Sequence, residues 1–91
     1  MAYRVTFVPA AAKQLRKLAK STQGRLVAAI ELLAADPRPN GVKKLSGPEG
    51  FLRVRVGDYR IVYTVNDDLQ VLEIVIVRIG HRREVYRFLR G

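Results

Sequence analysis

The chain has 91 residues, 48% of them apolar, and carries 17 Lys and Arg against 8 Asp and Glu for a net charge of +9. That length predicts one domain, 1–91, with one core; the apolar content argues against disorder, and no stretch reaches the ~20 apolar residues of a membrane span. With no cysteine and a single histidine, disulfides, thiolate sites and a zinc centre are excluded, no paired carboxylates replace them, and a polyanion or acidic protein is the partner that the charge favours.

Met1-Ala2-Tyr3-Arg4-Val5 opens strand-like, without a long apolar run behind a charged leader, so no signal peptide is read and a cytoplasmic protein is expected. Residues 3–7 alternate, with Tyr3, Val5 and Phe7 on one face. Pro9 suits the first turn of a helix over 10–20, in which Ala11, Leu15 and Leu18 form a stripe backed by Lys13, Arg16, Lys17 and Lys20. Ser21 or Thr22 is placed to cap a second helix, where Leu26, Ile30 and Leu33 form the stripe and Val27 and Ala34 widen it. Asp36-Pro37-Arg38-Pro39-Asn40-Gly41 ends that helix, and the pair forms an antiparallel hairpin whose apolar side needs a sheet.

Residues 37–50 are the longest irregular stretch, with Lys43 and Lys44 as candidate phosphate contacts and Leu45 turned to the core. Gly57-Asp58 predicts a two-residue turn pairing strands 51–56 and 59–65. A fourth strand is predicted over 69–79, apolar on both faces as an interior strand would be. Gly80 is expected to break it, and 84–89 to form a short strand or a helical turn. The fold class is α+β: an N-terminal strand and a helical hairpin packed on one face of a small, mainly antiparallel sheet.

Alternation puts Leu52, Val54 and Val56 on one face of their strand and Arg53 and Arg55 on the other. In the next strand Tyr59, Ile61, Tyr63 and Val65 share the apolar side, which projects Arg60 onto the open side with the other two arginines. Guanidiniums gathered there repel one another unless an anion lies between them; the alternative is splaying into solvent or pairing with Asp58 and Glu84. His81-Arg82-Arg83-Glu84-Val85-Tyr86 emerges at the sheet's end. Arg82 or Arg83 has the planar fork for phosphate, Tyr86 the ring for a base, and His81 an intrinsic pKa near neutrality.

The order of elements, with Leu45-Ser46-Gly47, Leu52-Arg53-Val54-Arg55-Val56-Gly57-Asp58-Tyr59-Arg60-Ile61-Val62-Tyr63 and Ile79-Gly80-His81-Arg82-Arg83-Glu84-Val85-Tyr86, resembles the RelE toxins of the RelE/ParE superfamily over essentially the whole chain. The resemblance implies a type II toxin that enters the ribosomal A site and cuts mRNA without metal or cofactor, through attack of a ribose 2′-OH to give a 2′,3′-cyclic phosphate. It implies a RelB-type antitoxin, contact with rRNA and mRNA, operator DNA reached only through the antitoxin, and no membrane. Carried over by position, Arg53 and Arg55 stand for the family's basic pair, Arg60 and Arg82 for its phosphate-binding arginines, and Tyr86 for the tyrosine that stacks on or orients the substrate; Lys43, Lys44, His81 and Arg83 are candidate RNA contacts. Where the best-known members carry lysines in the basic pair, this chain has arginines, which stabilise charge but are poor bases, so His81 and Tyr86 remain as proton acceptors. The same fold also serves ParE-like gyrase inhibitors, and a non-catalytic module for antitoxin-bound repression is the third reading.

Overall fold

The computed structural model describes residues 2–90. Along them run β1 (Arg4–Phe7), α1 (Pro9–Arg16), α2 (Lys20–Ala35), β2 (Lys43–Lys44), β3 (Leu52–Val56), β4 (Tyr59–Asn66), β5 (Glu73–His81) and α3 (Arg82–Arg90). The strands form one sheet in the order β1-β5-β4-β3-β2, with β1 parallel to β5 and every other neighbour antiparallel. Ala11 of α1 and Leu26, Ile30 and Leu33 of α2 close a core with Leu52, Ile61, Tyr63, Ile74, Ile76 and Ile79 of the sheet. The expected α+β architecture, with the helical hairpin on one face, is therefore present.

A register shift between Val62 and Tyr63 refines the facing: Val62 lies opposite Arg78 and Tyr63 opposite Ile76, which leaves Val77 unpaired as a bulge on β5. The extra residue changes the phase of β5, so Ile79, Ile76 and Ile74 all reach the core. This phase change is one reason why the strand reads as apolar on both sides.

Several boundaries differ from expectation for identifiable reasons. α1 ends at Arg16, because Gln23 donates from Nε2 to the carbonyls of Arg16 (3.3 Å) and Leu18 (2.7 Å) and closes the corner between the helices. α2 begins at Lys20 behind Ala19, with no side-chain cap, so neither Ser21 nor Thr22 has the capping role. Val27 and Phe7 are exposed rather than inward, and Val8 packs on the core where the alternation favoured Phe7. Residues 69–72 are a turn, not strand: Asn66 and Asp68 accept backbone N–H groups two residues on, and Leu72 adopts a φ of 42°. The 84–89 segment belongs to a full helix, α3, which covers part of the face expected to be open.

Two polar ties fasten the loops. Asp67 accepts from the Tyr3 hydroxyl (2.8 Å) and from both terminal nitrogens of Arg38 (3.2 and 2.8 Å), joining the N-terminal strand, the chain after α2 and the β4–β5 turn. The bonds from Arg38 and then Tyr3 hold the Asp67 carboxyl below its ordinary pKa. The fully buried Tyr63 donates to the Pro37 carbonyl at 2.6 Å, and burial pushes its pKa up to about 12.

Since the folded state favours the neutral phenol, this contribution to stability is complete below the ordinary value of 10.0 and is lost as pH rises through about 12. Ultraviolet titration should show one tyrosine ionising only near pH 12. Tyr63→Phe should remove that late phase and cost about 1–3 kcal/mol, measured by denaturant unfolding, because the Pro37 carbonyl loses its partner. Among the described residues no helix is long and apolar enough to cross a membrane.

Candidate functional site

The cationic face follows from strand register. Arg55 pairs with Arg60 and Arg60 with Gly80, while in the next row Lys43 pairs with Arg53, Arg53 with Val62 and Val62 with Arg78. Residues directly opposite in a ladder share a face, so Lys43, Arg53, Arg55, Arg60 and Arg78 all project away from the main core. Lys44 pairs with Leu52 and faces the other way. Both lysines lie in β2 rather than in an irregular loop, since the short strand adds to the edge of β3.

α3 lies on this same face, in contact with β4 and β5. Val62 of β4 and Val85 of α3 itself are both fully buried and neither is part of the main core. Gly80 does not break β5; the strand continues to His81. What the glycine provides is close approach: a Cβ there would lie 3.3 Å from Glu84 Oε2, displacing that carboxylate slightly, and 3.7 Å from Val85 Cγ2, in van der Waals contact with the first turn of α3. The Arg82 N–H donates to the Asp58 carbonyl at 2.9 Å, which pins the start of α3 to the β3–β4 turn.

Arg60 is the buried member of the group, only 6% exposed, and Arg53 follows at 8%. This corrects the expectation that Arg60 stands on an open side: α3 shares its face, and its Nη1 is held by the carbonyls of Gly57 (3.0 Å) and Tyr59 (2.9 Å). The Nε atoms of Arg53 and Arg60 are buried without a partner. Burial lowers the pKa of Arg60, and the charges of Arg55, Arg53 and Arg82 lower it further, while Tyr86 opposes them. Of these, Arg55 stands directly opposite Arg60 in the ladder. None of the arginines pairs with Asp58 or Glu84; the ion pair found among the described residues is Arg38–Asp67.

The remaining candidates divide. Arg55, Arg82 and Arg83 are exposed, and Tyr86 is 52% exposed, a ring presented to solvent beside the arginines. His81 is set apart, for it pairs with Tyr59 on the core-side face, its ring edge-on to Tyr59 at 6.0 Å. It accepts the Arg83 N–H at Nδ1 (3.3 Å) and lines a cleft of about 290 Å³ with Gln14, Lys17 and Glu84. A proton acceptor among the arginines is therefore not His81. Among the described residues no three His, Cys, Asp or Glu gather as metal ligands.

Arg78 was not among the residues that the sequence singled out. Its guanidinium lies 4.2 Å from the centre of the Phe88 ring, and its Nε is buried without a partner. A lone arginine inside the apolar run of β5 was the available signal.

The geometry can bind and polarise an anion that carries several oxygens, through unpaired guanidiniums on a partly dry surface, with an aromatic ring at its rim. A family model described as the ParE toxin of the type II toxin–antitoxin system parDE matches residues 5–86. The chain is similar to the mRNA interferase toxin RelE of Escherichia coli (strain K12), 31% identical over 87 residues that cover 94% of this chain and 92% of that protein. It is also similar to Toxin RelE3 of Methanocaldococcus jannaschii, 38% identical over 47 residues, a match that spans 52% of this chain and about half (49%) of that protein's length. Among solved structures, the archaeal RelE–RelB complex from Pyrococcus horikoshii OT3 superposes with a TM-score of 0.75 at 32% identity, covering 90% of this chain and 97% of that one.

Proposed function

The chain belongs to the RelE toxin family of the RelE/ParE superfamily, and from that premise we propose that it is the toxin of a type II toxin–antitoxin pair and cleaves mRNA in the ribosomal A site. The observation that carries the reading is the buried Arg60, which shares one face of the sheet with Arg53, Arg55 and the helix α3 that bears Arg82 and Tyr86, and which pairs with no carboxylate among the described residues.

In the proposed reaction the ribose 2′-oxygen attacks the adjacent phosphorus and gives up its proton, while the bond from phosphorus to the 5′-oxygen breaks and that oxygen takes a proton. A 2′,3′-cyclic phosphate and a 5′-hydroxyl result. Negative charge grows on the non-bridging oxygens at the transition state, where fixed guanidiniums are worth more than in the ground state. Arg60, immobilised by two carbonyls, and Arg82, at the pinned start of α3, take that role, with Arg53 and Arg55 adding field. Tyr86 stacks on a base and orients the attacking ribose. Guanidiniums cannot accept the proton, which leaves the Tyr86 oxygen or water.

Lys43 and Arg83 extend the cationic surface for the RNA backbone. The RelE chains solved with RelB support a RelB-type antitoxin as partner; on this reading the pair acts in the cytoplasm and reaches operator DNA only through the antitoxin.

Adding the purified protein to a translating extract tests the reading. Cuts confined to A-site codons, with naked RNA spared, are expected; intact mRNA or equal cutting of naked RNA contradicts it. The matching ParE family model favours a second reading, inhibition of DNA gyrase, which predicts loss of supercoiling activity with intact mRNA.

A further inference from the structure

We infer that Arg78 and Phe88 form a latch that holds α3 against the sheet and thereby positions Tyr86 and Arg82 over Arg60. The positioning half of this inference rests on the cleavage reading above; the latch itself does not.

α3 has few means of holding its place. Its sequence, Arg82-Arg83-Glu84-Val85-Tyr86-Arg87-Phe88-Leu89-Arg90, contains three aliphatic or Phe side chains, and only Val85 is fully buried. The start of the helix is pinned by the Arg82–Asp58 backbone bond and by continuity with β5. A pin at one end leaves the helix free to swing and roll. Phe88 lies one turn beyond Val85 on the same side, and at the far end of the helix it meets Arg78 of the sheet.

Two contacts there define its seat. The Arg78 guanidinium sits 4.2 Å from its ring centre, and Phe51 lies at 6.0 Å with its ring tilted by 38°. Arg78 has a buried Nε with no hydrogen-bond partner, so the ring face is the favourable contact that the structure supplies to this cation. A cation desolvated against an aromatic face gains more than an exposed one does. Tyr86 is two residues before Phe88, and Arg82 six before it; a roll of the helix that frees Phe88 carries both out of register with Arg60. The latch thus places a cation that never needs to touch RNA in control of two groups that do.

The test uses the full-length protein and reads amide hydrogen exchange beside cleavage kinetics. In Arg78→Met, which keeps an apolar stem and loses the charge, exchange in α3 should accelerate about tenfold while β4 and β5 keep their protection. Phe88→Leu should do the same, and Phe88→Trp, whose ring binds cations better, should retain wild-type protection. The kcat for ribosome-dependent cleavage should fall about tenfold in Arg78→Met and Phe88→Leu with KM unchanged, and should be kept in Phe88→Trp.

Unchanged α3 exchange in Arg78→Met overturns the latch. Accelerated exchange with wild-type kcat overturns the positioning role. If the wild-type protein cuts no RNA, the cleavage reading falls, and exchange alone decides the latch.

Discussion

Arg82→Ala should lower mRNA cleavage by about 10²–10³-fold while leaving the melting temperature where it is. The side chain is exposed and makes no hydrogen bond or ion pair among those described, and the contact that pins the helix start is made by the Arg82 backbone, which alanine keeps. Arg60→Ala should behave differently. It should abolish cleavage to a similar depth and also change stability, because it leaves the Gly57 and Tyr59 carbonyls without their donor and opens a space under α3.

Removing Arg60 also removes a buried cation whose neighbours repel it, so the carbonyl loss and the relief of repulsion oppose each other. Arg60→Met helps to separate them, since it fills the space without charge. Cleavage should be lost in both variants, with Arg60→Met the more stable of the two. Wild-type cleavage in Arg82→Ala, measured at matched melting temperature, would remove this arginine from the site.

Tyr86 is the second large effect. With 52% of its surface exposed, the ring contributes little to the fold, and its loss is a loss of stacking. Tyr86→Ala should lower cleavage by about 10–10²-fold, in line with about 1–3 kcal/mol per stacked base, and Tyr86→Phe should recover most of it. A loss as deep in Tyr86→Phe as in Tyr86→Ala would transfer the proton of the 2′-OH to the phenol oxygen. In neither variant should α3 unfold, because Val85 and Phe88 hold its inner side.

Much of this arrangement was legible in the sequence, because strands obey period two. Leu52, Ile61 and Tyr63 on one face and Arg53, Arg55 and Arg60 on the other required only alternation and the Gly57-Asp58 turn. What alternation cannot see is a covering element that arrives later in the chain. The open side of Arg60 became a buried one because α3 packs over it, and α3 reads ambiguously: nine residues with little apolar content form a helix here because Val85 and Phe88, three apart, both find the sheet.

Gly80 misled for a related reason. A glycine within a strand suggests a break, whereas here it is the clearance that lets Glu84 and Val85 approach. His81 is two positions from Arg83 and next to Arg82, yet lies across the sheet from Arg60, since adjacent strand residues point to opposite faces. The bulge at Val77, which changes the phase of β5, left no turn residue in the sequence to announce it.

The central claim is that a face of arginines, without help from a metal-activated water, opens a phosphodiester through the neighbouring ribose hydroxyl. Analysis of the RNA ends made by the purified protein on translating ribosomes tests it most directly. Expected are 2′,3′-cyclic phosphates upstream and 5′-hydroxyls downstream of each cut; 3′-hydroxyl and 5′-phosphate ends would rule out attack by the ribose hydroxyl.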